Sequence, residues 1–130
     1  MKSNLYPLLA LVLISSCKND AIPNLSGHIW EVVSINDYEL KGALPWITFE
    51  LEEGTVNGNA GCNNFFGGVE VNGTNLSFSS LGATRMMCED MTNEDLFFNS
   101  VQETFKFKFE NSELLFLDEN EATLLRLRKN

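Results

Sequence analysis

Apolar and polar positions alternate with a period of two along most of this chain. Ile47, Phe49 and Leu51 alternate with Thr48, Glu50 and Glu52, and Leu76 and Phe78 with Asn75, Ser77 and Ser79. Phe105, Phe107 and Phe109 alternate with Lys106, Lys108 and Glu110, and Leu125 and Leu127 with Arg126 and Arg128. Successive side chains of a strand point to opposite faces, so each stretch predicts a half-buried strand with one dry face and one wet face. Turn chemistry separates them at Glu53-Gly54, Asn57-Gly58, Asn72-Gly73 and Asp118-Glu119-Asn120. The period changes once, between Thr92 and Thr104, where Phe97, Val101 and Phe105 recur at every fourth residue. Thr92 stands where an N-cap is needed, and Glu94 and Asp95 occupy the first turn, where acid complements the helix dipole. The pattern predicts a meander of short antiparallel strands, in the manner of a barrel or sandwich, and one amphipathic helix that buries its phenylalanine face on the sheet.

The beginning of the chain obeys another rule. Lys2 gives a positive start, Leu5 to Ile14 is an almost unbroken apolar run, and Ile14-Ser15-Ser16-Cys17 closes it with small residues before a cysteine. This order resembles a bacterial lipoprotein signal, in which the cysteine becomes the lipidated first residue of the mature protein. The apolar run is about half the roughly 20 residues that span a bilayer as a helix, so a cleaved signal is expected rather than a retained anchor. The expected organisation is a signal over residues 1–16, a lipidated tether over 17–24 and a single domain over 25–130. Attachment to the membrane then rests on acyl chains at Cys17. Lys18 follows the cysteine, and the lack of an aspartate there favours the outer membrane over the inner. The domain is expected in the cell envelope, in the periplasm or at the cell surface.

Charge narrows the partners. The formal charge of −9 becomes −10 once the signal and its Lys2 are removed. A domain so acidic is repelled by nucleic-acid phosphates and by anionic lipid headgroups; the nearest candidate for a basic stripe is Arg126, Arg128 and Lys129, where Arg126 and Arg128 look like the solvent face of a last strand. With Cys17 taken by lipid, Cys62 and Cys88 remain as an even pair in an oxidising compartment. A bridge between them would contribute about 3.5 kcal/mol by the chain-entropy account; two buried free thiols are the alternative.

Candidate chemistry is sparse. The stretch Gly58-Asn59-Ala60-Gly61-Cys62-Asn63-Asn64-Phe65-Phe66-Gly67-Gly68 is glycine-rich but lacks the Gly-Lys-Ser/Thr and following helix of a phosphate loop. It reads instead as structure: Gly58 and Gly61 around a turn, Asn63 bonding local backbone in a bend, and Gly67 and Gly68 at a bulge where a wall must curve. A nucleophilic Cys62 would need a basic neighbour, and nothing in the sequence places the single histidine, His28, beside it. Met86, Met87, Cys88 and Met91 are soft enough for copper(I), but methionines beside a phenylalanine-rich helix are expected to fill gaps in the core. The acidic pairs Glu52-Glu53, Glu89-Asp90, Glu94-Asp95 and Asp118-Glu119 read as a solvated rim. No metal and no cofactor is expected.

Taken together, Trp30, the Gly58–Gly68 stretch, the Thr84-Arg85-Met86-Met87-Cys88 segment and Glu94 resemble the META domain family, also called HslJ-like, over Leu25 to Arg128. That family carries an early tryptophan, a G-x-x-G-C-N-x-F/Y-x-G segment and a T-x-M-x-C segment. The resemblance implies an α+β, mostly β fold: an antiparallel meander forming a cracked or partly open barrel, with one amphipathic helix packed against it. It implies a Cys62–Cys88 disulfide, structural roles for Trp30, Gly58, Gly61, Asn63, Gly67, Thr84 and Met86, and no enzyme activity. Two functions are then expected to compete. One is a monomeric, non-enzymatic envelope lipoprotein that binds another envelope protein or serves a stress response. The other is a carrier or chaperone for a lipid-like apolar ligand held between barrel and helix, lined by Phe97, Val101, Phe105 and Phe107.

Overall fold

The computed structural model describes residues 24–130. The expected signal, Cys17 and nearly all of the tether lie outside them. The strands are β1 (Trp30–Ile35), β2 (Tyr38–Glu39), β3 (Trp46–Glu50), β4 (Thr55–Asn59), β5 (Asn64–Asn72), β6 (Asn75–Ala83), β7 (Lys106–Glu110), β8 (Glu113–Leu117) and β9 (Thr123–Lys129), and the helix α1 (Thr92–Glu103) lies between β6 and β7. Neighbouring strands run antiparallel in the order β2-β1-β3-β4-β5-β6-β7-β8-β9, and β9 returns to pair with β1. Apart from the short β2, the strands therefore close into a ring of eight, a partly open barrel.

Local chemistry sets the hairpins. Asn36 and Asp37, at φ 49° and 63°, turn β1 into β2, and Asn111 and Ser112, at 50° and 65°, turn β7 into β8. Two-residue loops with both φ positive match the twist of the strands they join. The β5–β6 pair shifts register between Phe66 and Gly68, where Ser80 (φ 51°) is the extra residue on β6. A Cβ on Gly67 would run into Leu81, so the bulge needs a glycine opposite it. Asn57-Gly58, expected as a turn, lies inside β4 instead. Gly58 is there because a Cβ would collide with the carbonyl oxygen of Trp46 on the neighbouring strand.

The ring is unevenly sealed. β6 and β7 share one paired position, Asn75 with Lys106, supported by Leu76 N–H to Phe105 O (3.0 Å) and Phe107 N–H to Thr74 O (3.0 Å). Beyond that point the chain that could continue the pairing is helical, and α1 packs against β1, β6 and β9 instead. The interior is filled from both sources: Trp30, Phe49, Phe65, Phe107 and Phe116 from strands, and Phe97 and Val101 from the helix, all at most 2% exposed. Rings of Phe49, Phe78 and Phe116 meet one another at 5.8–6.4 Å, the range in which tilted and edge-on aromatic pairs attract.

The helix starts at Thr92 as its pattern predicts, but Thr92 is not the cap. Met91 is the N-cap residue and caps with no side-chain bond; Asp90 Oδ1 instead accepts the Thr92 N–H at 2.8 Å. The helix ends at Glu103, so Phe105 belongs to neither its face nor the core and is 43% exposed. Phe109 is 37% exposed for a related reason: it stands at the end of β7, where the barrel no longer covers it.

Candidate functional site: the disulfide corner

One corner gathers the unusual residues of the sequence. At the end of β4, Gly61 adopts φ 113°, and the Ala60 N–H donates to Asn63 O at 2.8 Å, closing a tight return into β5. A side chain at Gly61 would meet Ala43 O and the Asn93 Cβ at 3.3 Å, in a backbone conformation that favours glycine. The turn presents Cys62 inward, and it is bonded to Cys88, with the Cα atoms 6.1 Å apart. Cys62 is buried at 7% exposure, whereas Cys88 is exposed.

Asn63 is the hub. Its Oδ1 accepts from the Met86 N–H at 2.6 Å and from Thr84 Oγ1 at 2.9 Å. Its Nδ2 donates to Met86 O at 3.1 Å and to Glu94 Oε2 at 2.9 Å, and its backbone N–H donates to Glu94 Oε1 at 2.7 Å. The expectation of local bonds within a bend is thus corrected: the partners come from 21 to 31 residues away. Glu94, read from the sequence as part of a solvated rim, is 7% exposed and receives both of those bonds. Hydrogen bonds to a charged group are worth roughly 1.5–3 kcal/mol each when made, and leaving such a group buried without them costs more. Asn93, next along the helix, donates from Nδ2 to Lys41 O (2.9 Å) and Ala43 O (3.0 Å). The β4–β5 turn, the segment before the helix, the helix start and the 41–43 loop are therefore clamped together. A cleft of about 240 Å³ opens between them, bordered by Lys41, Gly61, Cys88, Asp90, Asn93 and Glu94.

The segment clamped in this way buries almost nothing. Ala83 to Asp90 are all exposed, with Met86 at 55% and Met87 at 87%. Met86 and Met87 do not fill the core, because the Asn63 bonds take the backbone of Met86 and leave these side chains outside, whereas Met91 at the helix start is half-buried. Asp90 is held below the usual carboxylate range by its bonds from Thr92.

Of the motif residues, Gly61, Asn63, Thr84 and Met86 converge on this corner with Cys62 and Cys88. Trp30, Gly58 and Gly67 do not: Gly58 and Gly67 sit in the wall, and Trp30, 1% exposed, donates from Nε1 to Leu25 O at 2.9 Å. His28 stacks edge-on against Trp30 with ring centroids 5.7 Å apart, and Cys62 is spent in the disulfide, so no thiol–imidazole pair forms. Among the described residues, no three His, Cys, Asp or Glu side chains converge as a metal site would require. The four residues expected to line an apolar ligand do not share one space. Phe97, Val101 and Phe107 lie in the packed core, while Phe105 stands outside beside Glu103, Asp118 and Glu119.

Glu94 and Asn93 were not singled out as site residues from the sequence, yet a signal existed for Glu94. It lies three and seven residues before Phe97 and Val101, on the same helix face, so an inward phenylalanine face carries the carboxylate inward too.

Comparison with known proteins agrees with this architecture. An NMR structure of a protein from Burkholderia xenovorans superposes with a TM-score of 0.62 at 22% identity, over 82% of this chain and 83% of that one. A second NMR structure gives 0.64 at 23% identity, over 80% and 90%. The crystal structure of a DUF4847 family protein from Bacteroides vulgatus gives 0.59 at 16% identity, over 82% and 94%. At these identities the likeness concerns the fold. No curated protein matches the chain. The META domain family model matches residues 23–130, the extent over which the tryptophan, the glycine–cysteine turn and the second cysteine segment take their places, and the chain belongs to the META domain family.

Proposed function

We propose that this protein is a non-enzymatic lipoprotein of the cell envelope that binds a partner protein through the Thr84–Met91 segment. The observation that carries this reading is the contrast at the corner: a disulfide and the Asn63 bonds immobilise a segment whose side chains stay in solvent, Met86 and Met87 foremost. Holding exposed apolar side chains in one conformation does little for the core. It lowers the ordering entropy that a partner would otherwise have to overcome on binding. Methionine suits such a surface because its unbranched, polarisable chain adapts to the shape it meets. Lipidation at Cys17, with the outer membrane as its destination, would keep this surface within the envelope.

A photo-crosslinking residue placed at Met87 in the full chain, in cells that export it, tests the reading. A discrete cross-linked partner is expected from position 87 and not from the exposed Ser79 on β6, and it should weaken when Cys88→Ser frees the segment. Identical products from both positions, or none from position 87, would sink it.

A further inference from the structure

Between Met86 and Asp90 a single bond holds the chain to the barrel. Before that stretch, Asn63 fixes the Thr84 hydroxyl and both backbone groups of Met86. After it, Asp90 Oδ1 accepts the Thr92 N–H at the start of the helix. Among the described residues, Met87, Cys88 and Glu89 enter no hydrogen bond with any other, and all three are exposed. What ties them down is the bond from Cys88 to Cys62.

The two sulfurs of that bond are not equivalent. In thiol–disulfide exchange a thiolate attacks one sulfur while the other leaves, so access decides which of them is attacked. Cys62 is buried at the β4–β5 turn, whereas Cys88 is exposed on the border of the cleft of about 240 Å³. The buried sulfur has an acceptor waiting as well. Cys62 Sγ lies 3.8 Å from Met86 O, within reach of a thiol's weak donor once the bridge opens. Asn63 holds the Met86 backbone without help from the bridge, so that acceptor keeps its place when the bridge is cut.

We propose that Cys88 is a thiol-exchange site, and that the Cys62–Cys88 bridge is a latch whose opening frees Met87 to Glu89 and leaves the rest of the domain folded. An incoming thiolate bonds to Cys88 Sγ as the S–S bond breaks. Cys62 Sγ leaves with the electron pair, takes a proton from water and, as a thiol, donates to Met86 O. The second thiol of a dithiol reductant then attacks the reductant's own sulfur in the mixed disulfide, and Cys88 leaves as a thiolate and is protonated in turn. Two electrons pass from the dithiol, which ends as a disulfide, to the cysteine pair, which ends as two thiols. The domain is the substrate of this exchange and supplies no catalysis. With the bridge open, nothing orders the chain between Met86 and Asp90, so the loss of order is local. The exchange stands whatever the segment binds. Its effect on binding rests on the docking function proposed above, because Met87 loses the fixed position that lowers the ordering entropy.

The test uses the exported full chain in its oxidised state, with glutathione as the monothiol probe and dithiothreitol as the dithiol. After brief exposure to glutathione, acid quenching and alkylation in denaturant, peptide mass spectrometry should find glutathione on Cys88 and the alkyl group on Cys62 several-fold more often than the reverse. After dithiothreitol, amide order parameters at Met87, Cys88 and Glu89 should fall from about 0.85 to below about 0.6, with Met86 and the barrel strands unchanged. Glutathione on Cys62, an even division between the two, or no adduct until the chain is denatured overturns the exchange site. Order lost throughout the barrel, or lost nowhere, overturns the latch. Cross-linking from position 87 before and after dithiothreitol keeps the two readings apart. A product that disappears on reduction supports the latch and its link to docking, and one that persists after the latch has opened overturns that link. No product in either state sinks the docking function and leaves the exchange site standing.

Discussion

The disulfide corner and the barrel interior hold the same chain by opposite means. Inside the barrel, Trp30, Phe49, Phe107 and Phe116 contribute through area and close packing, which are nearly indifferent to direction. At the corner one asparagine makes five hydrogen bonds to Thr84, Met86 and Glu94, and a covalent bond joins Cys62 to Cys88. The interior should therefore lose stability in proportion to the volume removed. The corner should fail as a unit, since each partner lost leaves others buried and unpaired.

The largest effect expected belongs to the interior. Phe107→Ala removes a buried ring and should cost about 3–5 kcal/mol in a denaturant titration. Phe105→Ala, two residues earlier but 43% exposed, should cost under about 1 kcal/mol. Similar losses at the two positions would break the account of the core. Next comes the bridge, which closes a separation of 26 residues. Removing it with Cys62→Ser and Cys88→Ser should lower stability by about 3.5 kcal/mol.

The comparison sharpens at Asn63. Asn63→Ala should cost about 3 kcal/mol, because the buried Glu94 carboxylate loses the Nδ2 donor and keeps only the backbone N–H, while the Met86 N–H and the Thr84 hydroxyl lose their acceptor. Combined with Glu94→Gln it should cost less than the sum of the two changes, a coupling of roughly 0.5–3 kcal/mol in a double-mutant cycle. Strict additivity would mean that the corner is not a unit. Met87→Ala, by contrast, should leave stability within about 0.5 kcal/mol, because the side chain is 87% exposed.

The smallest effect is a titration. Asp90 is lowered from 3.8 by its bonds from Thr92, so it is more acidic folded than unfolded. Its contribution is present above 3.8 and is lost as pH falls through the lowered value. Asp90→Asn should flatten that part of the acid unfolding curve and little else.

How far the sequence can be read differs between these regions. Periodicity in two found β3, β6, β7 and β9 because a wall with one dry face writes its burial directly into alternation. It failed for Phe109 and Phe105, since burial near strand ends depends on what the next element covers. Asn36-Asp37 and Asn111-Ser112 form turns without a glycine to mark them, whereas the glycine of Asn57-Gly58 answers a close backbone approach rather than a bend. The Cys62–Cys88 pairing was legible from the family resemblance. The roles of Asn63 and Glu94 were not, because both depend on partners more than twenty residues away.

By itself the sequence determined the class of fold, the single helix and its start, the bulge glycine, and the family signature around Cys62 and Cys88. These rest on local rules of side-chain alternation, backbone freedom and turn chemistry. Tertiary structure alone decided that Glu94 turns inward to Asn63, that Met86 and Met87 stay outside, and that Phe105 is exposed where Phe107 is buried. Each of these depends on which distant segments the closing of the barrel brings side by side, and a linear pattern carries no record of that.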